Sequence, residues 1–160
     1  METYLYSLKI QYKVPWNDSE VIETQSVDMI FSQAVLEHVD DLPETYRAMY
    51  EWLKPIGYMS HTIDFGSHGT ATQWNGHLLY SDFAWRIIRG KRHYLLNRMS
   101  YSKHLDLMDR KGFSVVYKKQ FKAESSINRK HLPLRFKSLS EDDLTTQSAF
   151  VQSRKKLIEL

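Results

Sequence analysis

The 160-residue chain contains no cysteine, which excludes a disulfide framework, a thiolate metal site and a thiol nucleophile. Any metal would have to be held by imidazole and carboxylate groups. Glycine is scarce, with 6 residues. Nowhere do they fall into the GxGxG or GxGxxG spacing whose backbone N–H groups cradle a nucleotide. No apolar run approaches the ~20 residues of a membrane span, and the N-terminus lacks the basic, apolar and small-residue succession of a secretory signal. A soluble, cytoplasmic protein with no membrane partner is expected. Charge is nearly balanced, 22 basic against 19 acidic residues, and the two signs are interspersed, so no nucleic-acid partner is expected either.

What is present suffices for one core: 42% of residues are hydrophobic and 13% aromatic, consistent with a single domain over residues 1–160. Apolar residues alternate with polar ones in Leu8–Val14 until Pro15 stops the run, which predicts a strand over 8–14. Val27 to Phe31 is a short apolar run of the kind buried in a parallel sheet. Asp41 with Glu44 resembles a capping box, and Leu42, Tyr46, Met49 and Leu53 recur on one helix face. That helix is expected to carry Lys54 in its last turn and to end at Pro55, with a strand over 57–65 following. Strand, helix and strand make a right-handed βαβ unit. Further helices are expected over 82–88 and 102–110, with Gly112 past the end of the second. A strand over 113–121, a turn capped by Ser140 and a closing strand over 149–153 complete the series, ahead of a Lys/Arg-rich tail.

The segment Val27-Asp28-Met29-Ile30-Phe31-Ser32-Gln33-Ala34-Val35-Leu36-Glu37-His38-Val39, the Leu53-Lys54-Pro55-Ile56-Gly57 run and Gly112-Phe113 occur in an order that resembles class I S-adenosylmethionine-dependent methyltransferases of the type 11 kind. The resemblance implies an α/β, Rossmann-like open sheet with helices on both faces, in the strand order three, two, one, four, five, seven, six. Residues 8–14 would be the third strand, and the Gly-rich loop and the first two strands have no counterpart. The expectation is a partial methyltransferase domain, impaired in binding S-adenosylmethionine. It would repair its sheet by pairing residues 8–14 with the fourth strand, by forming a homo-oligomer, or through a missing N-terminal half.

The same resemblance places Asn17 and Asp18 near the adenine, and Ser32, Gln33 and Ala34 at the methionine end of the cofactor. It implies methyl transfer to a small-molecule or glycan-like acceptor. His38, Asp64 and His68 are the candidate catalytic groups, since an imidazole titrates near neutral pH and can take a hydroxyl proton. Glu37, Trp74, Asn75, His77 and Tyr80 are candidate acceptor contacts, the last four as a lid over the site. His61, inside a strand, reads as a core residue. The histidines match no tight zinc signature such as HExxH. With Ala34 in place of a first Glu an ExxEH arrangement is incomplete, so the sequence assigns no metal ligand. The alternative reading is a non-catalytic module that associates through its open sheet edge.

Overall fold

The computed structural model describes residues 8–157. The extreme ends of the expected domain, 1–7 and 158–160, lie outside the described residues. Along the chain run β1 (Val27–Gln33), α1 (Leu42–Trp52), β2 (Leu53–Asp64), α2 (Asp82–Arg89), α3 (Tyr101–Arg110), β3 (Phe113–Lys122), α4 (Glu141–Thr145) and β4 (Thr146–Lys155). They form one four-stranded sheet in the order β1-β2-β4-β3. β1 and β2 are parallel, and β4 runs antiparallel to both β2 and β3. This is the four, five, seven, six half of the expected order.

The sheet is buried on the face where α1 and α3 meet. Tyr46, Met49 and Trp52 of α1 and Met108 of α3 pack there on Met59, Ile63, Phe113 and Val151. Burial of this size, at roughly 25 cal/mol per Å² of apolar surface, is the main stabilising term. α1 starts because the Asp41 side chain accepts the Glu44 N–H at 3.1 Å. Its last carbonyls are satisfied by Lys155, whose ammonium donates to Tyr50 O at 2.7 Å and Leu53 O at 2.9 Å and lies over the Tyr50 ring. Lys155 of the expected basic tail is therefore a buried structural lysine inside β4. On the opposite face Met29 of β1, Tyr58 of β2 and Tyr117 of β3 stand about half exposed.

Two expectations are corrected. Residues 8–14 form no strand: they are irregular, and Leu8, Ile10 and Tyr12 are more than 80% exposed. Alternation alone cannot hold a strand, because its backbone groups need a neighbour to pair with. Among the described residues β1 pairs only with β2, so its outer edge is open. The second correction concerns the α1–β2 junction. The helix ends at Trp52, and Leu53 already pairs with Val27, so Lys54 belongs to β2 and bonds Asp28 at 2.7 Å.

The early start of β2 forces a bulge, seen as a register shift between Val27 and Met29. There Ile56 sits at φ +59°. A β-branched residue in the left-handed region costs about 1–2 kcal/mol, partly offset by the greater chain entropy a glycine would lose on folding. Ile56→Gly is therefore expected to stabilise the domain by about 0.5–1 kcal/mol, raising the melting midpoint by a few degrees. A lower midpoint would contradict the strain.

Candidate functional site

The carboxyl ends of β1 and β2 build one polar cluster. The chain leaves β1 through Ala34, whose N–H donates to Thr62 O at 2.9 Å, and makes a single 3-10 turn over Leu36–His38. Asn97 fixes that turn. Its side-chain amide donates to Leu36 O at 2.7 Å and Val39 O at 2.8 Å, and its N–H donates to Glu37 O at 2.9 Å. The Glu37 side chain is thereby buried, 5% exposed, and among the described residues no side chain hydrogen-bonds either carboxylate oxygen. Burial pushes its carboxyl above the usual range. It borders a small cavity of about 30 Å³ shared with Asp64, Asn75, His77, Asn97 and Arg98.

His38 donates from Nδ1 to Tyr94 O at 2.8 Å, because a carbonyl can only accept. Its ring meets that of His68 edge-on, with centroids 5.1 Å apart. His68 lies just past β2 at φ +46°, and its Nε2 is 3.3 Å from Asp64 Oδ2. The other Asp64 oxygen accepts the Gly66 N–H at 2.6 Å. Thus His38, Asp64 and His68, 30 positions apart at the extremes, share one corner. A cleft of about 570 Å³ bounded by Asp64, Gly66, His68, Trp74 and Gln147 opens beside them.

The remaining predicted site residues are distributed differently. Ser32 Oγ is engaged by His61 Nδ1 at 2.7 Å; His61 is fully buried, in keeping with a core role. Asp18 accepts the Glu20 N–H and caps a short turn. Asn17 lines a surface groove with Tyr12, Trp16 and Tyr94, while Gln33 lines an adjoining one with Trp16, Ile30 and Phe31.

The segment expected as a lid packs down instead. Trp74 donates to Glu124 O at 2.8 Å, and the buried Asn75 amide bonds Ser125, Ser126 and Leu144 O. His77 is buried, and Tyr80 bonds Thr70 O while stacking on Trp85. Leu78 and Leu79 then join Leu132, Phe136 and Leu144 in a second small core.

Sequence reading missed Asn97 and Arg98. Arg98 is 5% exposed, bonds Tyr80 O and Asp82, and lies between the Trp85 and Phe136 rings. Burial lowers its pKa to about 10. No motif or period marks either residue; their role comes only from what they reach. Asn97→Ala would leave the Leu36 and Val39 carbonyls without these donors. A loss of about 2–3 kcal/mol is expected in denaturant titration, at about 1 kcal/mol or more per bond, together with faster amide exchange through 36–39. Unchanged exchange there would contradict the clamp.

A family model described as a methyltransferase domain matches residues 15–60, a stretch that takes in β1, α1 and the start of β2. Among solved structures, an S-adenosylmethionine-dependent methyltransferase from Mesorhizobium loti aligns at TM-score 0.53 and 15% identity over 84% of this chain and 64% of its own. One from Methanosarcina mazei aligns at 0.57 and 14% identity, over 86% and 63%. The fold is that of the class I methyltransferases. Geranyl diphosphate C-methyltransferase from Streptomyces coelicolor, solved with Mg2+, geranyl diphosphate and S-adenosylhomocysteine, shares it at 0.53 and 14% identity, over 89% and 52%. The chain thus spans less than two thirds of the length of these class I structures. No curated protein matches it significantly. On this fold the polar corner of His38, Asp64 and His68 lies at the carboxyl ends of the parallel strands, where open α/β sheets place their ligands.

Proposed function

We propose that the chain is the acceptor-side part of an S-adenosylmethionine-dependent methyltransferase that acts on a hydroxyl of a small-molecule or glycan-like acceptor. The observation that carries this reading is the convergence of His38, Asp64 and His68 at the carboxyl ends of β1 and β2. Asp64 orients the His68 imidazole and stabilises its positive charge as it takes the hydroxyl proton. Trp74 adds an aromatic surface to the same cleft, suited to a sugar or aromatic ring.

The residues present fit one wall of the cofactor. Trp16 joins the groove at Asn17 to the apolar one at Ile30–Gln33, and the two amide side chains would give a purine or an amino-acid end its polar contacts. Ser32 lines that wall with its hydroxyl paired to His61 Nδ1, and the N–H of the following Ala34 is spent on Thr62 O. S-adenosylmethionine, when bound, supplies a methyl group on a positively charged sulfur. Without a Gly-rich loop the chain lacks the N–H cradle for the opposite side, so affinity is expected to be low.

Isothermal titration with S-adenosylhomocysteine tests this. A Kd well above 1 μM is expected, corresponding to less than about 8 kcal/mol of binding free energy. A Kd of 1 μM or below would overturn the claim of an impaired cofactor site.

A second reading is favoured by the open edge of β1 beside exposed Met29 and Phe31, at 55% and 63%. An apolar edge of this kind invites strand pairing, and the module would then act by association. Light scattering separates the readings: a stable dimer that gives no heat with S-adenosylhomocysteine favours the second.

A further inference from the structure

Outside the proton-transfer pair, Glu37 is without an assigned task in the structure. A carboxylate that is 5% exposed, with no side-chain hydrogen bond among the described residues, is costly to keep charged, and native proteins tolerate one chiefly where a cation or proton meets it. Its surroundings supply the rest of a donor set. One side-chain donor atom from each of Glu37, His38 and His68 lies within 4.8 Å of the other two. His38 Nε2 stands 4.0 Å from Glu37 Oε1.

We infer that Glu37, His38 and His68 form a binding site for one divalent first-row transition cation of the Zn2+ class. Two imidazoles and a carboxylate are the ligand chemistry that such ions prefer over Mg2+ or Ca2+, which take oxygen. The tautomer of His38 is already set for it. Because Nδ1–H is spent on Tyr94 O, the neutral ring carries its lone pair on Nε2, on the side of Glu37. A backbone carbonyl behind a ligating imidazole is a common way to hold such a ring. Asp64, 3.3 Å from His68, adds a second carboxylate at the rim.

Bonds of about 2.0–2.1 Å hold two donors no more than about 4.2 Å apart, so the three must close by roughly 1 Å on loading. His68 is the member free to move: it sits on the loop after β2 and its side chain is 28% exposed. Glu37 and His38 are held by the Asn97 clamp and by Tyr94. The site rests on this geometry and not on methyl transfer. Cation binding and proton acceptance at His68 exclude each other.

The test is competition of the purified chain with a chromophoric chelator for Zn2+, alongside Glu37→Gln, His68→Ala and, as a control, the exposed His131→Ala. One equivalent of Zn2+ should bind, at least about tenfold more weakly in the first two variants, since removing a ligand costs no less than removing an outer-shell partner, and unchanged in the control. Glu37→Gln should also leave the melting midpoint of the metal-free chain unchanged or higher, since it removes an unpaired buried charge. If Glu37 were purely structural, that variant would melt lower and keep its Zn2+ affinity, which overturns the proposal. Affinity lost equally in the control, or the absence of a saturable site, overturns it as well. S-adenosylhomocysteine titration of the metal-free chain reads the methyltransferase proposal separately.

Discussion

Between pH 7 and pH 5.5 the domain is expected to lose about 4 kcal/mol of stability, a large part of the ~5–15 kcal/mol a domain possesses. Three histidines cause it. His61, His77 and His104 are at most 3% exposed, and burial depresses their pKa values to about 4, about 4 and about 3. His104 faces the Tyr46 hydroxyl at 3.0 Å and lies near His61, while His77 lies near Arg98 and His68; none of the three can accept a proton cheaply. In the unfolded chain each titrates near 6.5.

A depressed native pKa means that the stabilising effect is complete above 6.5 and declines as pH falls toward the native value. Over this window each ring contributes a little over 1 kcal/mol, provided its native pKa is below about 5. Glu37 works in the opposite direction, because burial raises its carboxyl pKa and so favours the fold at lower pH, which offsets part of the loss. Denaturant titrations at pH 7, 6.25 and 5.5 would show the decline directly. A flat profile would mean that the three rings are not buried neutral.

Gly112→Ala is expected to cost about 3 kcal/mol, lowering the melting midpoint by roughly 6–12 °C. Gly112 follows α3 at φ +88°, a conformation that costs an L-residue about 1–2 kcal/mol. A Cβ there would stand 2.5 Å from Tyr50 Cε2. Tyr50 cannot simply turn aside, because its ring packs edge-on against Phe113 at 5.6 Å and lies under the Lys155 ammonium at 4.2 Å. Overpacking adds about 1–3 kcal/mol. Gly69→Ala is the matched control: φ is +76° and no described residue would come within 4 Å of the added Cβ, so only the backbone cost of about 1 kcal/mol should remain. Equal losses in the two variants would show that the Tyr50 contact is unimportant.

The elements legible in the sequence were those whose causes are local. Asp41, the spacing of Leu42, Tyr46 and Met49, and Gly112 each mark a helix boundary or face within a few residues, and α1 begins and α3 ends where those marks put them. The strand at 8–14 failed because strand formation depends on a neighbour, and alternation says nothing about whether one is there. Asn75 and His77 show the same limit. Their polarity suggested a surface role, yet the groups that satisfy Asn75 come from Ser125, Ser126 and Leu144, some 50 to 69 positions away. Asn97 is invisible for the converse reason: a lone amide has no period, and only the turn it clamps gives it meaning. The resemblance supplied Glu37 and His38; only the fold brings His68 to them.

Amide chemical-shift mapping of the isotopically labelled chain with S-adenosylhomocysteine tests the central claim most directly, because it detects even a weak site and locates it. The account predicts fast-exchange shifts that cluster at residues 16–17 and 32–38, the wall that Trp16, Asn17 and Gln33 build beside the β1–α1 turn. An unperturbed spectrum at millimolar ligand, or shifts centred elsewhere on the chain, would contradict it.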